Sequence, residues 1–133
     1  SKRFKRRARC FQLFYELMTI QYKNQAFKQT DTSKTTVLTC PTNAIIIVKS
    51  IYVANNDASS GIVVNMNFVD SSDASTEYEF FRDEVGAKSQ VNASPQGLNL
   101  EAGDAITVQA ATGSSKIQGL ISYALIDRSQ ENG

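Results

Sequence analysis

The sequence contains no histidine and no tryptophan, and only two cysteines and two prolines among its 133 residues. Without histidine, the Ser-His and Cys-His nucleophile pairs, the commonest general base and the commonest zinc ligand are all missing. Cys10 and Cys40 lack the spacing of a metal knuckle, and a chain of this length folds without disulfides. There is also no phosphate-binding glycine loop. The sequence therefore predicts no catalytic residue, no cofactor and no metal ligand.

Carboxylates are the remaining chemical groups, and they are densest between residues 70 and 84. A glycosidase needs two carboxyl groups that face each other across a cleft. Here they lie in a serine-rich loop and at predicted outward strand positions, where water solvates them. The spacing of Asp70, Asp73 and Glu77 leaves two interpretations open, a calcium-binding loop and an ordinary turn in which the side chains cap their own backbone.

Charge is distributed unevenly along the chain. Residues 1–17 carry six basic side chains and one acidic one, a net charge of +5, whereas the remainder carries eight basic and twelve acidic residues, a net charge of −4. This asymmetry predicts a charged partner for the arm: the phosphates of nucleic acid, an acidic protein or neighbouring subunit, or an anionic membrane surface. The alternative is a solvated arm without a role. The candidate docking residues are Lys2, Arg3, Lys5, Arg6, Arg7 and Arg9.

The arm also has a helical pattern. Apolar residues recur at helical spacing, at Phe4, Ala8, Phe11, Phe14 or Tyr15, and Met18. The spacing predicts a short amphipathic helix, too short and too charged to span a bilayer. Because the composition changes at Met18, residues 1–17 are interpreted either as a native arm or as sequence upstream of the true start. Residues 18–133 are predicted to form one β-sandwich domain.

Two runs rich in valine and isoleucine, 44–54 and 62–69, flank the turn formers at 55–61, which predicts a β-hairpin. In the second run Ile62, Val64 and Met66 alternate with other residues, as expected of a strand with one wet face. The first run is apolar on both parities, so we expect a central strand that is covered on both sides.

The other segments repeat this alternation between turn signals. We expect a short edge strand at 19–23, a polar connector at 26–34, a long connection at 86–97 and a bulge near Phe81. Further strands are predicted at 35–39, 77–85, 105–110 and 118–127. Most of the aromatic residues Tyr22, Tyr52, Tyr78, Phe80, Phe81 and Tyr123 are expected in the core. About seven or eight strands without a long helix indicate an all-β fold. The predicted class is an antiparallel β-sandwich, jelly-roll or immunoglobulin-like.

Three stretches carry a family resemblance. They are Leu100-Glu101-Ala102-Gly103-Asp104-x-Ile106-x-Val108, the strand 36–39 ended by Pro41, and the apolar strand 48–55 that closes in asparagine; the closing stretch 122–126 also fits. Together they resemble the small β-sandwich structural proteins of tailed-bacteriophage virions, which occur in head, neck and tail accessory components. The resemblance covers about residues 35–127 and does not extend to the arm.

The resemblance implies a non-enzymatic role in assembly. We expect a homo-oligomer that also contacts other virion proteins, located in a virion assembled in the host cytoplasm, as capsid decoration or as a neck or tail component. One alternative is a carbohydrate- or receptor-binding module. Another is a capsid-type protein whose basic arm binds the packaged genome.

Overall fold

A computed structural model describes residues 19–128, and within them almost every element is a β-strand. One 3₁₀ turn, Ser71–Asp73, interrupts the strands. The strands are β1 (Thr19–Gln29), β2 (Thr35–Thr39), β3 (Ala44–Asn55), β4 (Ile62–Asp70), β5 (Thr76–Val85), β6 (Ser89–Asn92), β7 (Asn99–Leu100), β8 (Ala105–Ala110) and β9 (Ile117–Asp127). The predicted helical arm lies outside the described residues.

The strands form two antiparallel sheets. The larger sheet has the order β1-β9-β3-β6, with β7 also paired to β3, and the smaller sheet has the order β2-β8-β4-β5. The chain passes between the sheets after almost every strand, and only β4 and β5 form a hairpin within the smaller sheet. With the two-residue β7 set aside, this is the eight-stranded jelly-roll topology. The predicted β-sandwich is confirmed, and of its two forms the jelly roll is observed.

The core lies between the two sheets and follows the period of two. Side chains on the inner face of β3 and β9 meet those of β4 and β8, and the central ones are fully buried. They include Ile51, Val53, Val64, Val108 and Ile121, each 0% exposed. Burying each such side chain contributes about 1.5–3 kcal/mol, which makes this double layer the main source of stability.

The predicted hairpin of β3 and β4 is wrong, because the two strands belong to different sheets. The loop between them carries the chain from the larger sheet to the smaller one. Asn55 is 1% exposed and its amide holds this corner. The Nδ2 group donates to the carbonyl oxygens of Ser60 and Val85, both at 2.9 Å, while Oδ1 accepts from the Asp57 amide at 2.9 Å. Asn55, a typical turn residue, thus stabilises the connection between the two sheets through its bond to Val85.

Three further predictions need comment. β1 extends to Gln29, through part of the predicted connector, because its whole length pairs with β9. The predicted long connection contains β6, which adds to β3. The predicted bulge is present, and it leaves Phe80 without a partner, since Met66 lies opposite Phe81 and Asn67 opposite Glu79.

The turn between β7 and β8 is fastened by a buried carboxylate. Asp104 is 4% exposed. Its Oδ1 accepts from the Ser71 amide and hydroxyl, both at 3.0 Å, and Oδ2 accepts from the Glu101 amide at 2.9 Å. Gly103 has φ +85°, and a Cβ there would approach the Ser71 Oγ to 3.0 Å. The Gly-Asp pair of the resemblance motif therefore joins two loops at one end of the sandwich.

Replacing Asn55 by alanine is expected to destabilise the fold by about 2–4 kcal/mol, because two carbonyl groups and one amide lose their partner at a buried corner. Asn56→Ala is the matched control, since that neighbouring side chain is exposed. Urea unfolding measures both variants. Equal midpoints for the two would contradict the assigned role of the Asn55 amide.

Replacing Asp104 by alanine is expected to cost a similar amount, about 2–4 kcal/mol, since the amides of Ser71 and Glu101 lose a charged acceptor. Glu101→Ala removes an exposed carboxylate from the same turn and is expected to change the stability by less than about 0.5 kcal/mol. The free energies of unfolding of the two variants decide between a structural clamp and a dispensable turn.

Candidate interaction surface

The outer face of the larger sheet carries rows of apolar side chains across three strands, β1, β9 and β3. The strand registers place Ile20, Ile126 and Ile45 in one row, Tyr22, Ala124 and Ile47 in the next, and Ala26, Leu120 and Tyr52 in a third. A polar row of Asn24, Ser122 and Ser50 separates the second row from the third. We call this set of rows the outer apolar face.

The large side chains of β1 and β3 on this face are mostly exposed, whereas Ala124, which lies between them on β9, is 7% exposed. Tyr22 is 76% exposed and Ile20 is 57% exposed. Within residues 19–128, five of the seven large hydrophobic side chains that are exposed belong to the outer apolar face. Single exposed apolar residues are ordinary, whereas a contiguous group indicates an interaction surface. The expectation that β3 is covered on both sides is therefore wrong for the part of the chain that the structure describes.

A cation borders the outer apolar face. The Lys49 Nζ lies 5.0 Å from the centroid of the Tyr22 ring. Lys49 falls at the irregularity between Val48 and Ser50, where the register of β3 against β9 shifts. A cation over a tyrosine ring stabilises by about 0.5–1 kcal/mol at an exposed site.

A groove of about 430 Å³ lies at the far end of the outer apolar face. Its walls are Tyr52, Ala54, Gln90, Gln118, Gly119 and Leu120. The lining combines an aromatic ring and aliphatic carbon with two amide groups, and it includes no ionisable carboxylate or amine. Such a groove is suited to packing and hydrogen bonding rather than to acid–base chemistry.

The sequence-predicted docking residues Lys2, Arg3, Lys5, Arg6, Arg7 and Arg9 lie outside the described residues.

The acidic side chains of the 70–84 segment contact different partners and do not converge on one site. Asp70 accepts from Ser72 within its own loop, Asp73 accepts from the Tyr78 hydroxyl at 2.7 Å, and Glu77 pairs with Lys34 at 2.7 Å. Between residues 19 and 128, no three side chains of the metal-ligating types form a cluster.

Several tyrosines differ from the sequence-based expectation. Tyr22, Tyr52 and Tyr78 are exposed, whereas Tyr123 is 8% exposed and belongs to the core as expected. The hydrogen bond to Asp73, followed by the charge of that carboxylate, raises the pKa of Tyr78. Tyr22 and Tyr52 therefore belong to a surface. For Tyr52 the sequence carries a signal, since it lies between the buried Ile51 and Val53, whereas both neighbours of Tyr22 are exposed as well.

The thiol of Cys40 is not a candidate nucleophile. Cys40 is 1% exposed and forms no disulfide, and its Sγ donates to the carbonyl oxygen of Ala44 at 3.3 Å. Burial is the main cause that raises the pKa of this thiol. A neutral, enclosed thiol is inert, so Cys40 serves the turn before β3.

No protein-family model matches the sequence, and no curated protein matches it either. Solved structures share the fold. A chain of the acidic stable capsid structure of Helicobacter pylori bacteriophage KHP30 has a TM-score of 0.52 at 14% identity, with 84% of this chain and 90% of that chain covered. A chain of the IBDV viral particle has a TM-score of 0.51 at 8% identity, with 83% of this chain and 31% of that chain covered.

A third similar chain comes from Bacillus endospore appendages, which form disulfide-linked pili; it has a TM-score of 0.48 at 12% identity, with 83% and 88% of the two chains covered. At these identities the similarity concerns the fold. In residues 19–128 no helix has the length and apolar character needed to cross a membrane.

Proposed function

We propose that this protein is a non-enzymatic structural component of a virion, which forms protein–protein contacts with further copies of itself and with other virion proteins. The observation that carries the proposal is the jelly-roll topology, shared over 84% of the chain with the bacteriophage capsid chain. Jelly rolls occur in viral capsids and also in lectins, so the fold alone favours two classes of function. The proposed location is the virion, after assembly in the host cytoplasm, in capsid decoration or in a neck or tail accessory position.

The edge of the larger sheet offers a means of assembly. β1 is an edge strand of eleven residues, and its side chains from Thr19 to Ala26 are exposed. A long edge presents unpaired N–H and C=O groups, to which a strand of another copy can add. Lys23 and Lys28 place positive charge on this edge. The charge disfavours pairing with arbitrary strands and favours a partner strand that carries negative charge.

The expected result is assembly without any added ligand. Light scattering at high protein concentration should give a mass well above the 14.6 kDa of the chain, and electron microscopy should show closed or regular particles. The measurement is made on the full chain and on a form that starts at Met18, to separate a role of the arm from a role of the sandwich. A strictly monomeric protein in both forms would contradict the structural role.

The groove favours carbohydrate or receptor binding as a second function. Tyr52 is 45% exposed and lies beside the amides of Gln90 and Gln118, a combination that can stack on a sugar ring and bind its hydroxyl groups. On this alternative a glycan array gives defined hits that Tyr52→Ala abolishes. Tyr78→Ala is the control, because that tyrosine is exposed on the smaller sheet. An array without hits would remove this alternative.

A further inference from the structure

Two long edge strands, β1 and β5, lie on opposite sides of the sandwich. β1 is an edge of the larger sheet and lies beside β2, whereas β5 is an edge of the smaller sheet and lies beside β6. Between residues 19 and 128, β1 pairs only with β9 and β5 pairs only with β4. Each of the two strands therefore has one side without a partner strand, where its backbone can pair with another chain.

We propose that β1 of one copy pairs with β5 of the next copy, as antiparallel strands of one sheet that runs through both subunits. The proposal deepens the proposed function and rests on it, because it names a contact through which the copies assemble. The partner is a second copy of this chain for three reasons: the charge of the two strands, their register and the continuity of the core.

Charge selects β5 as the partner of β1. β1 carries Lys23 and Lys28 and no acidic side chain. β5 carries four acidic side chains and one basic one, Glu77, Glu79, Asp83, Glu84 and Arg82. Like charges on paired strands are unfavourable, so β1 does not favour a second β1, nor β5 a second β5. Pairing of β1 with β5 brings opposite charges together.

The bulge in β5 sets the spacing of its acidic side chains. Phe80 has no partner on β4, so positions along β5 are counted by the β4 residues that lie opposite them. Asp83 lies opposite Val64 and Glu77 lies opposite Val69, which is five positions further along β4. An odd number of positions places the two carboxylates on opposite faces of the smaller sheet.

The lysines of β1 have the same spacing. Lys23 and Lys28 are five positions apart and therefore lie on opposite faces of the larger sheet. Antiparallel pairing with Lys23 opposite Asp83 thus places Lys28 opposite Glu77. No other antiparallel register of these two strands brings both lysines opposite carboxylates. The matched register forms one ion pair on each face of the joined strands.

The same register continues the core from one copy to the next. Lys23 is paired in register with the buried Tyr123, and Asp83 with the buried Val64, so both belong to the inner faces of their sheets. The inner faces of the joined sheets are therefore on the same side. Because β2 lies beside β1 and β6 lies beside β5, β2 of the second copy then faces β6 of the first. Both layers of the sandwich continue across the contact.

The remaining neighbours across the contact are compatible with it. The paired stretches are 21–29 of β1 and 76–85 of β5, so the whole of β5 takes part. Phe27 then lies opposite Tyr78, an aromatic pair of the kind that stabilises neighbouring strands. No two residues of like charge lie opposite each other in this register.

Disulfide formation between two chains tests the register. The background is the full chain with Cys10→Ser, and the buried Cys40 stays unmodified in the folded protein. Opposite residues of an antiparallel pair have Cα atoms about 4.5–5.5 Å apart, a distance that a disulfide spans. Lys23→Cys and Asp83→Cys chains, mixed and oxidised, should therefore form a linked heterodimer. Asn24→Cys mixed with Asp83→Cys is the matched control, because residue 24 lies on the other face of β1.

Peptide mapping of the linked product separates the outcomes. A heterodimer joined between Lys23→Cys and Asp83→Cys, in clear excess over the Asn24→Cys control, supports the proposal. Equal yields from the two mixtures overturn it, and so does the absence of any linked product. Links found only between identical chains overturn it as well, because they indicate an isologous contact.

Charge reversal tests the same contact without cysteines. Lys23→Glu with Lys28→Glu makes both edges acidic, and Glu77→Lys with Asp83→Lys makes both edges basic. Each double variant should self-associate about tenfold more weakly than the unchanged chain in sedimentation velocity, because two attractive pairs become repulsive. An equimolar mixture of the two double variants should recover the association, since every β1 then meets a β5 of opposite charge.

Lys49→Glu with Lys88→Glu is the control for net charge, because both lysines are exposed and lie outside the two edge strands. Urea unfolding confirms that each variant is folded. An equal loss of association in this control, or a mixture that does not recover it, contradicts the proposal. Electron microscopy of the unchanged chain tests the virion role separately. Open filaments with the specific disulfide support the contact and count against a closed particle, whereas particles without that disulfide do the reverse.

Discussion

The antiparallel pairing of β3 with β9 is the interaction on which the rest of the sandwich depends. It runs from Ala44 opposite Asp127 to Asn55 opposite Ile117. β1 attaches to the free side of β9, and β6 and β7 attach to β3, so the larger sheet cannot exist without this pair. The two strands lie far apart in the sequence. Their pairing closes a long loop, and the entropic cost of that closure precedes the free energy gained by burying side chains between the sheets. Such a topology folds slowly and is fixed only when both sheets have met.

The same strand pair raises a question of register. Because β3 is apolar on both parities, a slip by one residue would exchange its two faces with little change in hydrophobic burial. Specific polar contacts therefore have to fix the register. The Asn55 amide, buried at the corner, loses its bonds to Ser60 and Val85 on any slip. The shift between Val48 and Ser50 fixes it a second time, at the middle of the strand. Burial of the apolar residues thus stabilises the sheet, while the Asn55 contacts and the irregularity in β3 determine which register it adopts.

The sequence pattern predicted the strands that have one buried face, and it was weakest where that condition fails. β4, β8 and β9 were predicted within a residue or so of their observed bounds, because their alternation reflects burial against the other sheet. β1 was predicted too short, since an exposed edge strand has no reason to alternate. The turn formers at 55–61 were recognised, but a turn does not specify whether the next strand pairs with the last one or joins the opposite sheet. The exposure of Tyr22 and Tyr52 depends on which neighbour covers them, which no local pattern contains.

The two edge strands β1 and β5 carry charge of opposite sign. β1, at the edge of the larger sheet, carries Lys23 and Lys28 and no acidic side chain. β5, at the edge of the smaller sheet, carries four acidic side chains and one arginine. A basic edge and an acidic edge on the same subunit are complementary between neighbours rather than self-complementary. A contact between them is heterologous, and repeated contacts of that kind close into rings or shells when the rotation between neighbours permits.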